Sequence, residues 1–267
     1  MGTVGRGGRD LIERWTPGDG VDRVLVVTAH PDDVDFGAAG TIAAFTNAGV
    51  EVHYCVVTDG EAGGDDRAMA RREMAAVRRE EQRAAAATVG VRGVTFLGYP
   101  DGRLMPTIEL RRDLTRVIRR VRPQRVVTQS PERAWDRIFA SHPDHLAAGE
   151  AATCAVYPDA RNPFAHPELL DGEGLEPHVV GELWLMAAPL SVPVAASTSG
   201  EGMGDPTMVV VEIDLERKLA ALSCHRSQVK DAAGLRARIA EWATRVAREA
   251  GLAEAVFAES FRRVQTS

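Results

Sequence analysis

Lysine is nearly missing from this chain. Lys218 and Lys230 are the only two among 32 basic residues, and the rest are arginine. With abundant alanine, this usage points to a GC-rich genome and says little about mechanism. Cysteine is scarce as well. Cys55, Cys154 and Cys224 are odd in number, scattered through apolar patterns and free of any CxxC pairing. That excludes a disulfide framework and makes a reducing cytoplasm the expected compartment. No run approaches the roughly 18–20 apolar residues of a membrane span. Met1 to Asp10 is rich in Gly and Arg and has no apolar core, so no signal peptide is expected there. A basic excess is also missing. The net charge of −6 argues against nucleic acid as a partner, because phosphate binding needs a basic surface.

What is present is ordinary for a globular protein: 267 residues, 45% hydrophobic and 26% charged. That length can bury a good core. Residues 1–20 are expected to be a flexible lead-in, with a short helix around Leu11–Trp15, and residues 21–267 a single domain. No internal repeat and no strong linker interrupts it.

Apolar runs at Arg23–Thr28, Glu51–Thr58, Val94–Leu97 and Arg125–Thr128 read as strands. Between them, helices are expected over Val34–Asn47, about Arg67–Val89 and Thr107–Val121. Strand–helix alternation of this kind predicts an α/β, Rossmann-like, mostly parallel sheet with helices on both faces, and an active site at the carboxyl ends of the strands. Beyond it, His145–Tyr157 reads as a helix. The proline-rich stretch 158–181 reads as an irregular loop and a candidate substrate rim. Glu182–Ala187 and Met208–Ile213 read as strands, the second at an edge, with a polar loop over 191–205 between them. Helices are expected again over Leu215–Ser227 and Ala232–Ala250.

The first strand runs into Thr28-Ala29-His30-Pro31-Asp32-Asp33, and over a hundred residues later comes His142-Pro143-Asp144-His145. Folding requires neither. One His-Pro-Asp before a helix is an ordinary cap, whereas two, both at strand-to-helix turns, point to chemistry. Imidazole and carboxylate are good zinc ligands, and a catalytic zinc takes three protein ligands plus water. The first cluster offers His30 and either Asp32 or Asp33; the second offers His142 or His145. Adjacent aspartates point in different directions, so one can bind metal while the other takes a proton from the activated water. Asp144 can orient an imidazole, and a charged imidazolium facing the metal would stabilise an oxyanion and then protonate an amine.

Ala29 to Gly37 with Gly40-Thr41-Ile42, followed by His142 to His145, resembles the LmbE-like superfamily of zinc-dependent N-deacetylases. That superfamily includes the GlcNAc-phosphatidylinositol de-N-acetylase (PIG-L) and enzymes of mycothiol and bacillithiol synthesis. Further similar segments are Thr58-Asp59-Gly60-Glu61, Arg78-Arg79-Glu80-Glu81, Tyr99-Pro100-Asp101-Gly102 and the late stretch Lys218 to Gln228. The resemblance implies Zn2+ as cofactor, held by His30, Asp33 and His145. It makes Asp32 the general base, His142 the acid and oxyanion partner, and Asp144 the residue that orients His142. Asp35, Glu61, Arg78, Asp101 and His225 are the expected substrate contacts, with Arg78 and Asp101 at the rim. Two positions depart from the pattern. Val34 stands where many members have Glu, with Asp35 as the shortened equivalent, and Ala140-Ser141 replaces an Arg or Tyr close to His142.

The expected activity is hydrolysis of an acetamide on a small amino sugar. An amidase acting on thiol conjugates, or a deacetylase tailoring a glycosylated natural product, would use the same site. A doubly wound nucleotide binder is the competing class. It would need G-x-G-x-x-G where this chain has His-Pro-Asp-Asp. An assembly of identical chains is compatible with the sequence. His53, His166, His178 and Trp135 read as ordinary packed residues.

Overall fold

Alternate residues of the first long strand serve two cores. In β2 (Arg23–Thr28), Val24 and Val26 join one buried cluster while Leu25 and Val27 join the other. Successive side chains of a strand point to opposite faces, so an all-apolar strand needs cover on both sides. The computed structural model describes residues 12–64, 68–135, 138, 141–186 and 207–267. The expected loop 191–205, the segment Met1 to Asp10, Ala140 and the last residue of the strand expected to end at Ala187 lie outside them.

The parallel core is built from β2, β3 (Glu51–Thr58), β4 (Gly93–Tyr99), β5 (Arg125–Gln129) and β6 (Glu182–Met186). On one face lie α1 (Asp33–Asn47) and α2 (Arg71–Thr88); on the other lie α3 (Ile108–Val121) and α4 (Pro143–Val156). The strands run in the order β4-β3-β2-β5-β6, so the chain goes outward from β2, then returns past it to β5. The order reverses between β2 and β5, which is where doubly wound sheets bind ligands.

Beyond β6 the sheet departs from the sequence reading. The strand β8 (Ala258–Gln265) inserts antiparallel between β6 and β7 (Thr207–Glu212). β7 is therefore internal, not an edge. Its other neighbour is β1 (Ile12–Arg14), which pairs parallel to it. Those residues form a strand where a helix was expected, because β7 offers them a ladder.

β8 is also tied to the core by charge. Glu259 and Lys218 of α6 (Leu215–Leu222) are fully buried and 2.5 Å apart. Lys218 Nζ donates to Phe36 O, and the Glu259 carboxylate accepts from Gly40 N and Thr41 N of α1. Gly40 permits this close packing: a Cβ there would meet Ile213 side-chain atoms at 2.6–2.8 Å. The last helix, α7 (Ala232–Glu249), closes against β8 with Val246 and Ala247.

The stretch expected to form a substrate rim lies at the other end of the sheet. Gly181 N donates to Gln124 O, and His178 Nε2 contacts Pro123 O, both at the start of β5. The clusters follow the ends of the strands, so 158–181 is remote from them. It contains a short turn, Asp159–Arg161, and α5 (Pro167–Asp171). Arg119 reaches from α3 to the carbonyls of Asp159, Ala160, Asn162, Ala165 and Leu175. Backbone that lacks a ladder is satisfied there by one guanidinium.

Candidate active site

Two turns meet at the point where the strand order reverses. After β2, Ala29 N donates to Gln129 Oε1 at the end of β5, and Thr58 N donates to Ala29 O, tying three strand ends together. His30 N then donates to Asp33 Oδ2 at 2.7 Å, which folds the turn into α1. Asp32, the cap of α1, has φ 87°. A residue with a Cβ in that left-handed region costs about 1 kcal/mol or more, and such strain gathers at functional sites. After β5, Pro143 starts α4 at the position where a missing N–H costs nothing. His142 caps it, with Nδ1 accepting from Asp144 N at 3.2 Å.

The three histidines pack ring to ring, with centroids 5.0–5.2 Å apart. Asp33 bridges two of them, with Oδ2 3.3 Å from His30 Nδ1 and Oδ1 3.0 Å from His145 Nε2. The other side of His30 meets two more carboxylates. Its Nε2 lies 3.1 Å from Asp101 Oδ1 and 3.3 Å from Asp144 Oδ2. These acids are held in turn: Asp101 accepts from Ala62 N, and Asp144 accepts from Gly102 N and Leu104 N.

Burial and hydrogen bonding move these groups in different directions. Burial works against a charged His30, but hydrogen bonds to Asp101 and Asp33 prevail and raise it to about 10. Asp33 is buried, yet hydrogen bonds from His145 and His30 hold it far below the usual carboxylate range. Asp101 is also lowered: burial opposes this, and the His30 bond outweighs it. Asp32 goes the other way. Burial and the Asp33 charge push it up to about 7, against the pull of Arg78. His142 is lowered by burial and by repulsion from His30 and His145.

The residues fit a divalent cation. Ligand atoms of a tetrahedral zinc lie about 3.3–3.4 Å apart, given bonds of about 2.0–2.1 Å. The contacts of Asp33 with His30 Nδ1 and His145 Nε2 match that spacing. Two donor groups lie within 4.8 Å among the described residues: His30 with His142 and His145, and His30 with Asp101 and Asp144. In the second group both acids already accept backbone N–H bonds, so they suit the role of holding His30 Nε2–H, as carboxylates behind metal-bound histidines do. The first group, His30 with His142 and His145, has Asp33 beside it, in contact with both His30 Nδ1 and His145 Nε2.

Several expected roles change. Asp144 was expected to orient His142; its amide meets that ring, while its carboxylate serves His30 and the 102–104 backbone. That contact, and the lowering of His142 by burial and by His30 and His145, favour the neutral ring with its proton on Nε2. Asp35 and His225 are not substrate contacts. Both are fully buried, and they bond each other at 2.8 Å. Arg78 is no rim residue either. It is 4% exposed and donates to Asp32 Oδ2 at 3.1 Å. Asp101 lies against His30, not at a rim. Glu61 accepts from Asp101 N and Arg71, while its Oε2 is buried without a partner.

Among the other residues singled out, His53 contacts Glu51 and His166 contacts Asp159. Trp135, expected to pack, is 82% exposed. Gln82 escaped the sequence reading. It accepts from Asp32 N and donates to Asp35. Its position four residues after Arg78 on one helix was the available signal.

Residues 25–156, from β2 through α4, match the family model of the GlcNAc-PI de-N-acetylases (PIG-L), and the match includes both clusters. The diacetylchitobiose deacetylase of Thermococcus kodakarensis is 35% identical over 168 residues, covering 61% of this chain and 59% of that protein. The chain thus matches a little over half the length of that relative. The 1D-myo-inositol 2-acetamido-2-deoxy-alpha-D-glucopyranoside deacetylase of Rhodococcus erythropolis is 30% identical, covering 78% of this chain and 81% of that one. In structure, the N,N'-diacetylchitobiose deacetylase from Pyrococcus horikoshii superposes with a TM-score of 0.79 at 29% identity, over 94% of this chain and 86% of that one. The motifs, the site and these likenesses agree, and the chain belongs to the PIG-L, LmbE-like family.

Proposed function

We propose that the protein is a zinc-dependent hydrolase that removes the N-acetyl group from an N-acetylglucosamine-type amino sugar or glycoconjugate and releases acetate. One observation carries this reading: two imidazole–carboxylate turns converge at the strand-order reversal, with the half-buried Asp32 beside them. The named activities of the relatives support the substrate class. His30, Asp33 and His145 would hold the metal. When bound, zinc supplies a Lewis acid for an amide carbonyl and for water.

Asp32 accepts the proton of the attacking water and returns it to the departing nitrogen. Without metal, burial and the Asp33 charge push this carboxyl up to about 7, and a bound cation would draw it back towards the carboxylate that accepts the proton. Neutral His142 donates its Nε2–H to the carbonyl oxygen as negative charge gathers there. Asp101 and Asp144 hold the His30 ring. Glu61, beside Asp101 and Arg71 at the end of β3, is the candidate polar contact for the sugar.

The test is acetate release across a panel of N-acetylated sugars, including mycothiol-type conjugates, with metal-stripped and zinc-loaded protein. Release should require the metal and disappear in Asp32→Asn. No acetate from any member of the panel with zinc-loaded protein would sink the reading.

A further inference from the structure

Arg78 and Gln82 of α2 grip one peptide bond from its two sides. Arg78 Nη2 donates to Pro31 O at 2.6 Å, and Asp32 N donates to Gln82 Oε1 at 2.8 Å. Side chains four apart share a helix face, so the two act from one rigid element. The plane they hold is the one whose rotation sets φ of Asp32. With φ at 87°, Asp32 sits where a side chain with a Cβ is strained. Relaxation to negative φ would turn the amide away from Gln82 and the carbonyl away from Arg78.

The orientation of Gln82 is itself determined. Its Nε2 donates to Asp35 Oδ2 at 2.8 Å, and the same oxygen contacts His225 Nε2 at 2.8 Å. With the nitrogen turned to Asp35, only Oε1 is left for Asp32. Gln82, Asp35 and His225 are all fully buried, so water does not compete for these bonds. Arg78 also touches the Asp32 carboxylate, whereas the contact of Gln82 with Asp32 is through the backbone.

We propose that Gln82 is a positioning residue that clamps the Pro31–Asp32 peptide and holds Asp32 in its left-handed conformation, with the Asp35–His225 pair setting its orientation. This deepens the deacetylase reading and rests on Asp32 as the proton acceptor.

Gln82→Met fills the space without the bonds, and Gln82→Asn withdraws the amide by one methylene; each carries the same expectation. With zinc-loaded protein, kcat should fall by roughly 10- to 100-fold, the size of effect a misplaced group produces, while KM and zinc stoichiometry stay at wild-type values. A crystal structure of the variant should show Asp32 out of the left-handed region. Wild-type kcat in the variants overturns the inference, and so does a loss of kcat that follows a loss of zinc. An unchanged φ at Asp32 overturns it whatever the turnover. An inactive wild-type protein would instead count against the deacetylase reading, and the φ measurement would still decide the inference.

Discussion

Asp32 and Asp33 are neighbours in sequence and opposites in chemistry. Asp33 sits between two imidazoles that favour its charge; Asp32 sits in a dry position beside a like charge. The local sequence showed that one of the pair could serve a metal and the other a proton, and the partners that divide these roles come from elsewhere. The raised value at Asp32 has a definite sign. In the metal-free protein, burial and Asp33 favour its neutral form, so carboxyl NMR should find a midpoint near 7, well above the ordinary 3.8. The stability this group contributes is present at acid pH and lost as pH rises through 7. A bound cation favours the carboxylate, so zinc should move the midpoint down. A midpoint near the ordinary value with and without zinc would contradict the assignment.

At the scale of elements, helix starts were easy to read and distant partners were not. His-Pro-Asp before an apolar run marks a helix beginning with its own chemistry attached, and both α1 and α4 begin there. β8 was hidden because its buried face carries Glu259, whose charge breaks the apolar alternation and is answered from other elements, by Lys218 and by two backbone N–H groups of α1. The stretch 158–181 misled for a related reason. Prolines and polar residues look like a surface rim, yet its carbonyls are gathered by Arg119, which is 2% exposed. Arg119→Ala would leave several buried carbonyls without donors, at a cost of about 3 kcal/mol, or roughly 6–12 °C in Tm. KM for the substrate should not change, since the site is at the other end of the sheet. A raised KM with an unchanged Tm would return this stretch to the substrate rim.

For the whole molecule, the strand order does what neither cluster can do alone. β2 and β5 are adjacent and parallel, so two turns over a hundred residues apart open onto one point. The alternation of strands and helices predicted such a sheet; the pairing that closes the site depends on which strands lie side by side. Because the ligands come from two turns, a metal bound there links them and stabilises the folded state alone. At a hundredfold excess over Kd that linkage is worth about 2.7 kcal/mol, or roughly 5–10 °C. Chelation should therefore lower Tm and zinc should restore it, with magnesium far less effective on a site containing two imidazoles. The ligand set can be read from the same shift. His145→Ala should abolish the response to zinc, because Asp33 and His30 alone make a poor site. His142→Gln should keep it, because the His142 ring is spent on capping α4 and on its Nε2–H. The reverse result, a response lost with His142 and kept without His145, would place the metal among a different set of donors and remove His142 from its role at the carbonyl oxygen.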